Sequence, residues 1–267
     1  MSNFIANALK SIWFDIENFQ PIIMKIQNSF FDNDPNHIII GINLFEMILK
    51  NLSINVDFYS FHYFRNLCDG YKVKVLPIIL NTVNQIIQNC LSQISSSNAS
   101  PNKIIFKTLE SGLEVLYEVV YFPFSVTFNL YKYETKIDDN TTTIFPEYFY
   151  SFVSNIEYIS LMENLVLSGK LSYNSSLLII KILSKLTSCR SSLLKNPNLE
   201  SSSPAEVFFE EEMTQPPAND SIHKLAIAFQ NKSYELSISF TTVAEKFKSY
   251  DMVTEILDLI IRTFVSY

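Results

Sequence analysis

Glycine is nearly missing from this chain, with four among 267 residues. That scarcity excludes folds built on many tight turns and phosphate loops that depend on glycine. Cysteine and histidine are as thin. Cys68, Cys90 and Cys189 lie far apart in no metal-ligand spacing. They read as buried thiols of a reducing compartment, not as ligands or disulfides. His37, His62 and His223 stand singly, without a neighbouring cysteine or paired acidic motif, and each reads as a packed or surface residue. The P-loop, G-x-S-x-G, H-E-x-x-H and G-x-G-x-x-G patterns are all lacking. The adjacent carboxylates, Asp138–Asp139 and Glu210 to Glu212, fall in loop-like stretches without a candidate partner. No catalytic, cofactor-binding or metal-binding residue is assigned, and the chain reads as non-enzymatic. The one enzymatic arrangement left open gathers scattered residues: His37, His62, His223, Asp15 and Glu163.

No uninterrupted apolar run approaches the length of a membrane span, so none is predicted. Positive charge is short too: 20 Lys and Arg against 27 Asp and Glu, a formal net charge of −7. Generic affinity for nucleic acid or anionic membrane is therefore not expected. The aromatic cluster Phe58, Tyr59, Phe61, Tyr63 and Phe64 lacks interleaved basic residues, so it reads as core packing and not as a base-stacking surface. The opening residues lack the pattern of a secretory leader. The Asn-x-Ser/Thr triplets at Asn98 and Asn140 therefore read as by-products of composition.

What is present is apolar and helical. Hydrophobic residues make up 48% of the chain and mean hydropathy is +0.14, ample for a large core. From Leu171 to Asn196, Leu178, Ile182, Leu186, Cys189 and Leu193 recur at helical spacing. Ile179 and Leu183 widen that face, and Lys181, Lys185 and Arg190 mark a wet side. Asn196–Pro197 closes the helix.

Other segments repeat the theme. A short helix is predicted over Asn3 to Phe19, turning near Trp13-Phe14-Asp15. Pro21 suits the first turn of a second helix reaching about Phe31. Asp34–Pro35 signals a further start, with Asp34 as N-cap. Behind it Ile38, Ile42, Phe45, Leu49 and Leu52 form one stripe, while Ile40, Leu44 and Met47 make a second. Asp57 to Asn66 reads as a short helix and Tyr71 to Ile94 as a longer one, with Pro77 near its start or kinking it. After the loop Ser95 to Asn102, a helix carries Ile105, Leu109, Leu113, Leu116 and Val120. Residues 123–144 read as a long loop, with a stray hairpin over Val126 to Tyr133 left open. Pro146 to Ser168 is helical and stops at Ser168–Gly169. Residues 196–220 form the second long loop, either a solvated insertion or an acidic partner-binding segment. Leu225, Phe229, Leu236, Phe240, Val243 and Phe247 mark the next helix, with a polar skip at Lys232. In the last helix Val253, Leu257, Ile260 and Phe264 form the apolar side. Glu255, Asp258 and Arg262 lie opposite, within reach of local charge pairing.

The fold class is thus all-α. Helices apolar on two sides are pressed between preceding and following neighbours, which favours a HEAT-like α-α superhelix, a solenoid of antiparallel helix pairs. A compact bundle fits the periodicities almost as well. Residues 1–267 read as a single such segment.

Six short stretches recur in an order that carries a resemblance: Ile12-Trp13-Phe14-Asp15, Ile38 to Ile42, Phe64-Arg65-Asn66, Val120 to Phe124, Pro146 to Val153, and Ser188 to Asn196. Together they resemble the N-terminal third of importin-β-like nuclear transport receptors of the exportin-7 and exportin-4 type. The tail from Phe240 is more weakly similar to the next repeat. Ile12 stands where the family has glycine, Asn66 replaces aspartate, Phe149–Tyr150 replaces Trp-Arg, and Ser191 replaces an arginine, as in a divergent member. The resemblance implies a HEAT-repeat karyopherin, found in cytoplasm, nucleus and nuclear pore. It would bind Ran in its GTP form with cargo proteins, and touch nucleoporins, without covalent chemistry or cofactor. Arg65 and Arg190 match family arginines, with buried pairing the favoured role. Family members are several times longer, so the implied object is a segment whose two ends expose apolar helix faces. The alternative is a HEAT-like interaction scaffold with unrelated partners.

Overall fold

The structure, a computed structural model, describes residues 16–32, 34–53, 70–71, 73–96, 102–122, 147–187, 220–247 and 249–265. Every regular element among them is helical. We number the helices α1 (Ile16–Phe30), α2 (Pro35–Ser53), α3 (Leu76–Ser96), α4 (Lys103–Val120), α5 (Tyr150–Val153), α6 (Ile156–Ser168), α7 (Tyr173–Thr187), α8 (Asp220–Phe247) and α9 (Tyr250–Val265). A 3-10 turn, Glu147–Phe149, leads into α5.

The ends of these helices follow local chemistry. Asp34 accepts from the Asn36 amide at 2.8 Å, and Pro35 takes the first helical position, where a missing N–H costs nothing. Asn102 caps α4 through the Ile104 amide, and Asn155 caps α6 through the Tyr158 amide. Gly169 closes α6 with φ 68°, a left-handed conformation that a side chain would strain.

Several sequence expectations need correcting. Pro21 lies inside α1, not in its first turn, and residues 16–19 belong to that same helix. Because proline brings no N–H, the Glu17 carbonyl, four residues back, loses its usual helical partner there. Of the two places read for Pro77, the helix start is the one found: after a turn at Val75 the main helix begins at Leu76, not Tyr71, with Pro77 as its second residue. Pro146 to Ser168 is not one helix, because Ser154 and Asn155 interrupt it and Asn155 turns into a cap. The predictions for residues 3–15, 57–66, 123–144 and 196–219 lie outside the described residues, as do those for Cys189 and Leu193.

The helices meet in a regular order. Successive hairpin partners touch: α1 with α2, α3 with α4, α6 with α7, and α8 with α9. The first members of these pairs also touch in chain order, α1 with α3, α3 with α6 and α6 with α8. So do the second members, α2 with α4, α4 with α7 and α7 with α9. We call these the first and second rows. Side-chain contacts fix the direction of neighbours within a row. Lys181 lies over the Tyr117 ring and Lys185 over the Tyr121 ring, at 6.0 and 5.5 Å from the centroids. Both pairs have the same separation in sequence, as only parallel helices give. Lys181–Glu255 and Ser184–Asp258 repeat the pattern between α7 and α9.

The core runs along both rows. In α7, Ile179, Ile180, Ile182, Leu183 and Leu186 are all fully buried. At roughly 2 kcal/mol per buried aliphatic side chain, they contribute about 10 kcal/mol before ordering costs. Leu178, assigned to the main apolar face, is only half-buried. Lys181 and Lys185 are half-buried as well, so α7 has no freely wet side: α4 and α9 flank it. In α9 the buried stripe is Met252, Ile256, Leu259 and Thr263, not Val253, Leu257 and Ile260; the Phe264 side chain lies outside the described residues. Leu257 is 52% exposed. The sequence holds two apolar stripes on this helix, and the one with hydroxyl and charged neighbours is the one packed inward.

Candidate interaction surface

The outward side of the second row is a ribbon of charged and tyrosine side chains, half-buried apart from the exposed Lys50. Helix α2 supplies Glu46 and Lys50, which pair with one another. Helix α4 supplies Glu110, Glu114, Tyr117, Glu118 and Tyr121 at helical spacing, each half-buried. Helix α7 supplies Lys181 and Lys185, and α9 supplies Glu255, Asp258 and Arg262. From Thr108 to Phe122 and from Ser175 to Thr187 every residue is buried or half-buried. Four successive helices thus offer one continuous polar surface with little free side-chain motion.

Burial sets the electrostatics of this ribbon. It pushes Glu114 above the usual carboxylate range, and the charge of Glu46 adds to the effect. Glu118 is raised by burial too, with Lys50 opposing. Burial likewise raises Glu255, although Lys181 at 3.7 Å pulls the other way. Tyr117 and Tyr121 pack at 4.3 Å between ring centroids, and burial raises both hydroxyls. Arg262 holds Asp258 at 2.6 Å, and Ser184 donates to the same oxygen at 3.1 Å. The local charge pairing expected along α9 is thus made by Asp258 and Arg262, while Glu255 pairs across to Lys181 of α7. The arrangement can hold a macromolecular partner by many modest polar contacts; it brings no nucleophile and base together.

A second polar feature lies in the first row. Lys232, taken from sequence as a skip, is buried on the inward stripe of α8. It donates to Glu163 of α6 at 2.6 Å and reaches Glu235 at 3.3 Å. This pair clamps α6 to α8.

The sequence-derived candidates disperse. His37 sits at the exposed start of α2 with Nδ1 2.9 Å from Asp32 and Nε2 3.9 Å from Asp34. It does have acidic neighbours, supplied by the α1–α2 connection, and Asp32 raises its pKa mainly through their hydrogen bond. Glu163 pairs with Lys232, on another helix pair from His37. The side chains of Asp15, His62, His223, Arg65 and Arg190, and those of Cys68 and Cys189, lie outside the described residues. Cys90 is a buried free thiol, with its pKa pushed up to about 11 by burial. Among the described residues no group of His, Cys, Asp and Glu is placed to hold a metal ion, and no helix is long and apolar enough to cross a membrane.

Sequence reading missed the ribbon. Its trace was there: Glu110, Glu114, Glu118 and Tyr117, Tyr121 recur at steps of four on α4. Lys232 and Glu163 also left a signal, opposite charges interrupting two otherwise apolar stripes. Of the six stretches that carry the family resemblance, three include described residues. All three serve packing: Ile42, Val120, Phe122, Phe149, Phe152 and Val153 are buried, and Gly41 lies against Phe30 and Phe31. Comparison with family models, with curated proteins and with solved structures finds no match for this chain.

Proposed function

We propose that this chain is a segment of a HEAT-type α-α superhelix whose second-row ribbon is a protein-docking surface. The observation that carries this reading is the order of contacts: apart from the short α5, each described helix meets its hairpin partner and its neighbours within its own row. Such stacks bury a continuous core and leave one long row of helices facing outward for partners.

Within that class the resemblance names a narrower role, a nuclear transport receptor of the exportin-7 type that binds Ran-GTP and cargo proteins together. Affinities for the two would then be reciprocally coupled. The test is binding of the purified chain to Ran loaded with a non-hydrolysable GTP analogue, against Ran-GDP, by biolayer interferometry. The transport reading expects the GTP form to bind at least ~10-fold more tightly, about 1.4 kcal/mol. Equal affinity, or no binding to either form, overturns it.

One observation favours a broader second reading, a scaffold with unrelated partners. The described residues of the resembling stretches are core residues, so they speak to how helices stack and not to what the surface holds. Failure of the Ran experiment leaves that reading standing.

A further inference from the structure

Helix α1 ends at Phe30 and α2 begins at Pro35, and a compact set of polar contacts sits on the turn between them. Asp32 and Asp34 divide their carboxylate oxygens in the same way. One oxygen of Asp32 accepts from the Asp34 amide at 2.9 Å, and one oxygen of Asp34 accepts from the Asn36 amide at 2.8 Å. Each is a side-chain-to-backbone turn spanning two residues. The remaining oxygen of each carboxylate faces one ring nitrogen of His37. Asp32 lies 2.9 Å from Nδ1, and Asp34 lies 3.9 Å from Nε2, within ion-pair range.

The protonation of His37 decides how much of this set can form. A neutral imidazole has one N–H and no charge, so it can hold Asp32 by a hydrogen bond but offers Asp34 no ion pair. The imidazolium has two N–H groups and a charge, and it serves both carboxylates. Asp32 and Asp34 are also the charged groups that act on the ring. Asp32, by hydrogen bond and then by charge, raises its pKa above the ordinary 6.5, and Asp34 adds to this by charge. His37 in turn holds Asp32 below the ordinary 3.8. All three side chains are exposed, so water can deliver and remove the proton. The turn also governs packing. Phe31, next to Asp32, stacks on Phe45 of α2 at 5.1 Å, and the Ile38 amide donates to the Asp34 carbonyl at 3.0 Å.

We propose that this turn is a proton-operated latch: an imidazolium at His37 ties Asp32 to Asp34 and fastens the start of α2 to the end of α1, and loss of its proton releases Asp34. The sign follows from both groups. The raised His37 contributes fully below 6.5, and its contribution is lost as pH rises through its higher folded value. The lowered Asp32 contributes fully above 3.8 and is lost as pH falls through its lower folded value. The latch is therefore shut between those two ordinary values and opens on the alkaline side.

Nuclear magnetic resonance of the full chain, from about pH 4 to about pH 9, reads the His37 ring nitrogens and the amides of the turn. The ring should titrate with a midpoint above 6.5, and the Asp34 and Asn36 amide shifts should follow that midpoint. Protection of the Ile38 amide, corrected for the intrinsic pH dependence of exchange, should fall about threefold across the same step, as an exposed charge pair allows. His37→Gln should abolish the step at these amides. Asp32→Asn should bring the His37 midpoint down toward 6.5 and remove the step at the Asp34 amide. A His37 midpoint at or below 6.5 in the parent chain overturns the proposal. So does an amide step that survives in His37→Gln, since another group then causes it. Unchanged Ile38 protection across the His37 titration overturns it as well, because the charge then changes without loosening the turn.

Discussion

Lys232 puts a charge where the inward stripe of α8 has Phe229, Leu236, Phe240 and Val243 around it. Its ammonium is tolerated there because Glu163, equally buried, lies 2.6 Å away. Removing one partner leaves the other charged and desolvated. Glu163→Ala or Lys232→Ala should therefore cost about 3 kcal/mol, whereas joint replacement by Leu and Met should recover most of it. Urea unfolding of the two Ala variants, of the Ala–Ala double variant and of the Leu–Met replacement reads this, and additive losses in the Ala–Ala variant would mean the pair is not coupled. Glu114 presents the opposite case, a half-buried carboxylate with like charges near it. Burial, then Glu46, raises its pKa above the ordinary 4.5. A group whose folded pKa is raised binds its proton more tightly in the folded state. Its favourable contribution is complete below the unfolded value and is lost as pH rises through the folded value. At neutral pH the charge therefore weighs against folding. Glu114→Gln should melt higher than the parent at pH 7, and the gap should close as pH falls toward 4.5. A constant gap across calorimetric scans from acid to neutral pH would show that charge is not the cause.

At the scale of an element, α2 shows how a helix is fitted to its neighbour. A Cβ built on Gly41 would lie 2.8 Å from the Phe30 Cβ and from the ring of Phe31. Phe31 in turn stacks on Phe45, one turn further along α2, at 5.1 Å. Glycine stands at 41 because the chain leaving α1 folds tightly across it. Gly41→Ala should destabilise by about 1–3 kcal/mol through overpacking, although alanine is the better helix former. Chemical denaturation checks the sign, and a more stable variant would mean the Phe31 ring simply swings away. That same helix was legible in advance, because Asp34–Pro35 is a local signal and local signals survive folding. Helix α9 was legible only as a helix. It has two apolar stripes, and nothing local says which one meets α7. The choice is made by Ser184, Lys181 and the polar side of α9, residues some seventy positions apart in sequence. The ribbon on α4 escaped for the same reason: Glu114 and Tyr117 become a surface only once α2 and α7 lie beside them. Pro21 and the break at Asn155 were missed because a single proline or asparagine is compatible with both a start and an interior, and packing decides.

For the molecule as a whole, the order of contacts makes a statement about cooperativity. Helix α4 touches α2, α3 and α7, and α7 touches α4, α6 and α9. Among the described residues the main contacts of α8 and α9 are with each other and with α6 and α7 respectively. In a stack whose stability is a sum of nearest-neighbour terms, a pair packed on both sides is held more firmly than one packed on one side, as α8–α9 is among the described residues. Local opening should then be cheapest at α8–α9 and dearest at α4 and α7. Native-state hydrogen exchange should show α8 and α9 exchanging together, roughly tenfold or more ahead of α4 and α7. Adding Lys232→Ala loosens only the α6–α8 contact. It should speed exchange in α8 and α9 further while leaving α2 and α4 unchanged, since neither touches the lost pair. A closed globule around one centre behaves otherwise, because its helices share a single core and lose protection together. Uniform acceleration across α2, α4 and α8 in the Lys232→Ala variant would therefore remove the stacked reading, and with it the reason to regard the second row as an open docking face.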